Sequence, residues 1–322
     1  MEPRRATANG VDFAYLSAGP EDGPLALCLH GFPDHAPSFT PMLDALASAG
    51  FHAVAPWMRG YHPTAPAPDG RYQSAVLALD ALALIEALSA DGCAALVGHD
   101  WGALAACGAA ILQPSRVRAM VAMALPHPAV LAATLIGDWE QRKRSWYMWF
   151  FLQDVLPGLV VPAGDHAFID RLWRDWSPGF APDPARMAAL KQTLSAPGVL
   201  DAALGYYRQT LDFARQADDL IAAQTEVQGG SIAVPALFLM GADDGCFAPD
   251  RERASLAHCT GEARVEILDG VGHFLHVEDP DRVNGLVLDW LVQEGGARPH
   301  RARPGSQATR GSDGQEGSDS DV

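Results

Sequence analysis

Three side chains with catalytic potential stand where apolar runs break into glycine-bounded turns. They are Asp100 in Gly98-His99-Asp100-Trp101-Gly102, Asp244 in Gly241-Ala242-Asp243-Asp244-Gly245, and His273 in Gly270-Val271-Gly272-His273-Phe274. An exposed aspartate, a histidine and a second acid are the parts of covalent hydrolysis: attack by the carboxylate, activation of water against the ester, and orientation of the base. Small residues on both sides of Asp100 let a strand turn sharply into a helix and lift the side chain clear. The competing reading is a helix N-cap. Asp243 competes with Asp244, because a turn accepts either aspartate for its local hydrogen bonds. His276 follows His273 by three positions and reads as a packing or surface histidine. The glycines just before His273 favour it as the histidine placed in a cleft. Charge that develops during the reaction needs donors. The candidates are the backbone N–H of Trp101 and that of Phe32 in His30-Gly31-Phe32-Pro33, since Pro33 has no N–H.

These turns need a scaffold, and the patterning describes one. Apolar runs over 24–30, 51–57, 93–97, 117–125, 234–240 and 264–268 predict strands, several without alternation, as in strands buried on both faces. Residues 10–17 read as an edge strand. Helical spacing over 38–49, 72–90, 103–112, 251–258 and 280–292 alternates with them, which predicts a mostly parallel sheet with helices on both faces. The interval 127–231 contains no convincing strand and holds Trp139, Trp146, Trp149, Trp173 and Trp176. Amphipathic helices are expected there at 139–155, 165–176, 184–195 and 199–218. An insertion from a strand's carboxyl end lands over the edge where α/β sheets bind ligands, so it reads as a helical cap. The expected organisation is a core over 1–126, a cap over 127–231, the rest of the core over 232–294 and a disordered tail over 295–322, where bulky apolar residues run out.

Composition narrows the function. The 322 residues are 48% hydrophobic with a net charge of −16, which argues against nucleic acid and anionic membranes as partners. The five cysteines fit neither a metal nor a disulfide framework, and Cys28 and Cys93 are expected in strand cores. No run approaches the roughly 18 apolar residues of a membrane span, and the amino terminus has no apolar signal core. A cytoplasmic location is the expectation.

The chain resembles epoxide hydrolases of the α/β-hydrolase fold, in the branch shared with haloalkane dehalogenases. The resemblance covers roughly residues 8–293 through HGFPD (30–34), MRGY (58–61), GHDWG (98–102), GADDG (241–245) and GVGHF (270–274). It implies an α/β-hydrolase fold with a helical cap inserted after the sixth strand. It also implies Asp100 as nucleophile, His273 as base and Asp244 as orienting acid. Two cap tyrosines of the family, which hold and protonate the epoxide oxygen, correspond to Tyr147 and Tyr207. Periodicity supports Tyr207 over Tyr206, because Leu200, Leu204, Tyr207 and Leu211 share one helix face while Tyr206 is turned about 100° away. His30, Pro33, Trp149 and Phe150 are expected along the substrate pocket. The implied reaction opens a small hydrophobic epoxide to a vicinal diol, with water as co-substrate and no metal or organic cofactor. Two alternatives remain: a haloalkane or haloacid dehalogenase using the same aspartate, and a non-catalytic relative that binds a small ligand.

Overall fold

The computed structural model describes residues 1–294, so the tail over 295–322 lies outside the described residues. One eight-stranded sheet runs through the molecule in the order β1-β2-β4-β3-β5-β6-β7-β8. Its strands are β1 (Arg4–Ala8), β2 (Val11–Ala18), β3 (Leu25–Leu29), β4 (His52–Pro56), β5 (Ala94–His99), β6 (Val117–Met123), β7 (Ala236–Gly241) and β8 (Ala263–Leu268). The β1–β2 and β2–β4 pairs are antiparallel, and every other pair is parallel. Every residue of β3, β4, β5 and β7 is buried, as expected of strands covered on both faces. β1 departs from the sequence reading: RRATA shows no apolar pattern, yet it pairs along β2 and takes the edge from it. Cys93 also departs, standing one residue before β5 with partial exposure, its thiol on the Ser115 carbonyl.

β3 pairs with β4 on one side and β5 on the other. The connection from β3 passes through α1 (Thr40–Ser48) to β4, and that from β5 through α3 (Trp101–Leu112) to β6. The two connections leave in opposite directions, which opens a crevice beyond the carboxyl ends of β3 and β5. The loops holding Phe32 and Asp100 both start there. Between them in sequence lies α2 (Ser74–Leu88), which packs on α3.

After β6 comes an insertion of helices: α4 (Pro128–Gly137), α5 (Trp139–Arg144), α6 (Trp146–Phe151), α7 (Leu156–Val160), α8 (Ala163–Trp176), α9 (Pro184–Ser195), α10 (Val199–Leu211) and α11 (Ile221–Gly229). The helix expected over 139–155 breaks at Ser145, whose hydroxyl accepts from the Gln141 side chain. The one expected to reach 218 stops at Leu211, because the Asp212 carboxylate accepts from Ala214 N–H and starts a new turn. α11 packs on α2 and α3, so the end of the 127–231 interval belongs to the core layer rather than to the cap. The chain closes with α12 (Leu275–Glu278) and α13 (Pro280–Gln293). Among the described residues no helix is long and apolar enough to cross a membrane.

A buried ion pair ties the insertion to the sheet. The Arg59 guanidinium, fully buried in the loop after β4, donates in a fork to Asp80 of α2 at 2.7 and 2.6 Å. Asn9 donates to the same carboxylate at 2.7 Å, and the Arg59 carbonyl accepts from the Tyr206 phenol of α10 at 2.7 Å. Removing one partner strands a buried charge. Asp80→Ala is expected to lower stability by about 3–5 kcal/mol, read from the midpoint of urea unfolding.

Candidate active site

The turn at Asp100 is fixed by close backbone packing. A Cβ on Gly98 would lie 2.1 Å from the Gly102 carbonyl oxygen, and one on Gly102 would lie 2.0 Å from that of Leu29. Only glycine fits at either place. Asp100 adopts φ 54° and ψ −118°, a conformation that non-glycine residues rarely hold unless the surroundings enforce it. Its side chain makes no capping bond to α3, so the N-cap reading fails. Instead Oδ1 accepts from Phe32 N–H at 2.7 Å, across the crevice. A Cβ on Gly31 would fall 2.3 Å from the same oxygen, which explains the glycine after His30.

His273 approaches from the loop after β8. Its Nδ1–H donates to Asp244 Oδ2 at 2.9 Å, which leaves Nε2 facing Asp100 Oδ2 at 3.8 Å. The other oxygen of Asp244 accepts from the N–H groups of Cys246 and Phe247 at 2.6 and 2.9 Å. Asp243 is exposed, so burial separates the two aspartates. Three bonds to the Glu278 carboxylate pin the histidine loop: Gly272 N–H at 2.7 Å, Phe274 N–H at 3.0 Å and the Ser177 hydroxyl at 2.6 Å. His276 goes elsewhere, pairing with Asp34 at 3.2 Å and stacking on Phe39.

Above Asp100 stand two buried phenols. The Tyr207 ring meets those of Phe32 and Trp101 edge-on, at 5.7 and 4.9 Å. These residues flank the Asp100 carboxylate: Phe32 donates its N–H to Oδ1, and Trp101 follows Asp100 at the start of α3. The Tyr207 hydroxyl has no hydrogen-bond partner among the described residues. The Tyr147 ring lies 5.9 Å from that of Tyr207, and its hydroxyl sits 3.3 Å from Cys246 Sγ. Tyr206 is equally buried, but its hydroxyl is spent on Arg59. Arg208 donates to the Phe151 and Gln153 carbonyls at 2.9 and 2.7 Å, binding α10 to the end of α6 and so fixing the spacing of the two tyrosines.

A family model described as alpha/beta hydrolase fold matches residues 24–280. The chain belongs to the alpha/beta hydrolase fold family. Within the family it is similar to Epoxide hydrolase A of Mycobacterium tuberculosis, at 28% identity over 90% of this chain and 97% of that one. It is also similar to an epoxide hydrolase of Caballeronia sordidicola, at 28% identity over 88% and 91%. Among solved structures, Epoxide Hydrolase A from Mycobacterium thermoresistibile superposes with a TM-score of 0.74, at 26% identity, over 90% of this chain and 98% of that one.

In this member of the family two pocket expectations need correction. Trp149 is 44% exposed, and Phe150 is half-buried and stacked on Phe168. On a 3.6-residue period Tyr147 and Phe151 share a face of α6, while Trp149 points away from it. Phe151 therefore packs on Phe32 and Tyr207, a role readable from its i+4 spacing to Tyr147. His30 serves the loop itself: Nδ1–H donates to the Gly31 carbonyl, and Nε2 accepts from Met58 N–H, each at 3.0 Å. Pro33 accepts the Trp173 indole N–H on its carbonyl at 3.0 Å. Trp176 had no sequence signal beyond its type. Its carbonyl accepts from both His273 and Gly245 N–H, and its ring lies between Tyr147 and His273.

Two groups of potential metal donors, Asp34–His99–His276 and Asp244–Cys246–His273, have ligand atoms within 4.8 Å of one another. In each, carboxylate and imidazole already hydrogen-bond to each other. Burial pushes the Asp100 carboxyl up to about 6, although His273 and the N–H groups of Phe32 and Trp101 pull it down. Burial alone would lower His273, but Asp244 and then Asp100 outweigh it and raise the imidazole. His99 and His30 are lowered by burial and stay neutral, His30 to about 4.

The raised pKa of Asp100 has a thermodynamic sign. The native state holds the proton more tightly than the unfolded chain, so stability falls as pH rises from about 4 to about 6, then stays lower. Asp100→Asn keeps an acceptor for Phe32 without that loss. It is expected to match the parent near pH 4 and to exceed it above pH 6 by on the order of 3 kcal/mol, measured by urea unfolding across pH.

Proposed function

We propose that the protein opens a small hydrophobic epoxide to a vicinal diol through an ester on Asp100. The observation that carries this reading is the pair of buried phenols, Tyr147 and Tyr207, packed over the two residues that flank the Asp100 carboxylate. The similarity to epoxide hydrolases supports it.

The carboxylate attacks one ring carbon, and the C–O bond breaks with its electron pair moving to oxygen. A tyrosine hydroxyl protonates that oxygen. Burial raises both phenols well above their usual range, so each carries its hydrogen at neutral pH. His273 then takes a proton from water, whose oxygen attacks the ester carbonyl. Phe32 and Trp101 N–H groups stabilise the oxyanion. The tetrahedral intermediate collapses, the ester oxygen departs as the second diol hydroxyl with the remaining proton of the attacking water, and the proton on His273 returns to the phenolate, so carboxylate, imidazole and phenol are restored. Asp244 holds the imidazole with Nε2 free for this step. The apolar walls of Phe32, Phe151 and Trp101 suit an aryl or alkyl epoxide.

The dehalogenase alternative shares Asp100 and His273, but it must hold a halide. The Phe32 side chain offers no donor, whereas the two phenols suit an oxygen. The binding-only alternative leaves the His273–Asp244 pair without a task. A parallel screen of epoxides, haloalkanes, haloacids and esters separates these readings. Turnover only of halides would overturn the epoxide assignment.

His273→Gln is expected to accumulate the ester, visible as a mass gain equal to one substrate after mixing with epoxide; an unchanged mass refutes the covalent route. Tyr147→Phe with Tyr207→Phe is expected to reduce ring opening by more than a hundredfold. Since Asp100 must be ionised to attack, the acid limb of kcat/KM is expected near pH 6.

A further inference from the structure

The two phenols are not equivalent. The Tyr207 hydroxyl makes no hydrogen bond to the described residues, whereas that of Tyr147 is 3.3 Å from Cys246 Sγ. Both residues of that contact are fully buried. The backbone of Cys246 is fixed at two points: its N–H donates to Asp244 Oδ1 at 2.6 Å, and its carbonyl accepts from Gln141 Nε2 at 2.9 Å. Gln141 also accepts from Ala248 N–H at 2.9 Å, and Arg144 donates to the Asp244 carbonyl at 2.7 Å. The α5–α6 segment that carries Tyr147 is thus mounted directly on the loop that carries the acid. Sγ lies within 4.8 Å of both the Asp244 carboxylate and the His273 imidazole.

We propose that Cys246 is a positioning residue for ring opening. Its S–H donates to the Tyr147 oxygen and leaves the phenol's own hydrogen for the departing substrate oxygen. This rests on the epoxide-opening reading above. Burial, with the carboxylates of Asp244 and Asp100, holds the thiol well above its usual range, so the sulfur keeps its hydrogen. When the ring C–O bond breaks, its electron pair goes to the substrate oxygen and the Tyr147 proton follows. The S–H bond stays intact and its hydrogen bond then falls on the phenolate, until the proton released from water returns to Tyr147. No oxidation or reduction occurs. Tyr207 has no sulfur partner of this kind, so the hydrogen bond from Cys246 sets Tyr147 apart from it.

The test is a set of double-mutant cycles read by single-turnover ester formation on the full chain. Cys246→Ala is expected to slow ester formation about three- to tenfold, the worth of one weak hydrogen bond, with KM little changed. Cys246→Ser, which restores a donor, is expected to recover most of the loss. In a Tyr147→Phe background Cys246→Ala should cost nothing further, and in a Tyr207→Phe background it should cost its full amount. An equal loss in the Tyr147→Phe background would assign Cys246 to holding the Asp244 loop and overturn the proposal, as would no loss in the parent. If the protein opens no epoxide, the functional reading fails first, and the contact is read without substrate. The S–H infrared band, assigned by its absence in Cys246→Ala, should shift on Tyr147→Phe, and an unshifted band overturns the contact.

Discussion

The structure turns on the place where α3 leaves β5 and presses on the end of β3, so closely that two glycines are obligatory. Gly102 lies against the Leu29 carbonyl, and Gly98 against that of Gly102, with no room for a methyl group at either. This contact brings the end of β5 against the end of β3 and forces the Asp100 backbone into its positive-φ conformation. It also sets the 2.7 Å bond between Phe32 N–H and the Asp100 carboxylate. The strands diverge in topology just beyond, so the crevice that the sheet creates is filled at once by a carboxylate and its donors.

A second layer of construction brings the remaining groups to that point. The acid loop after β7 and the histidine loop after β8 are held by different fixtures, Asp244 by N–H groups within its own turn and His273 by neighbours on Glu278. The Trp176 carbonyl joins the two loops and belongs to the cap. The cap is therefore part of the geometry of the candidate site: it supplies Tyr147 and Tyr207, and it braces both loops through Gln141, Arg144 and Trp176. The electrostatics follow from the same enclosure. Burial raises Asp100 and by itself would lower His273, and Asp244 outweighs that effect on the imidazole.

Much of this was legible in the chain. Apolar runs read as strands, and each of Asp100, Asp244 and His273 follows one of them; those before Asp100 and Asp244 are unbroken and buried on both faces. β1 was not legible, because RRATA has no apolar face and is ordered by pairing along β2. Trp149 misled because aromatic character says nothing about which side of a short helix faces inward; the partners of Tyr147 and Phe151 settle that. Tyr206 and Tyr207 are both buried, and what separates them is a bond to Arg59, far away in sequence.

The sequence alone determined the elements and the chemical types at their ends, since residue type, apolar period and glycine spacing act over a few neighbouring positions. Only the tertiary structure separated Asp244 from Asp243; for His273 over His276 and Tyr207 over Tyr206 it supplied the partners behind choices that glycine placement and helical period already favoured. Each choice compares side chains one to three residues apart, and its physical basis is burial and hydrogen-bond partners supplied by distant segments.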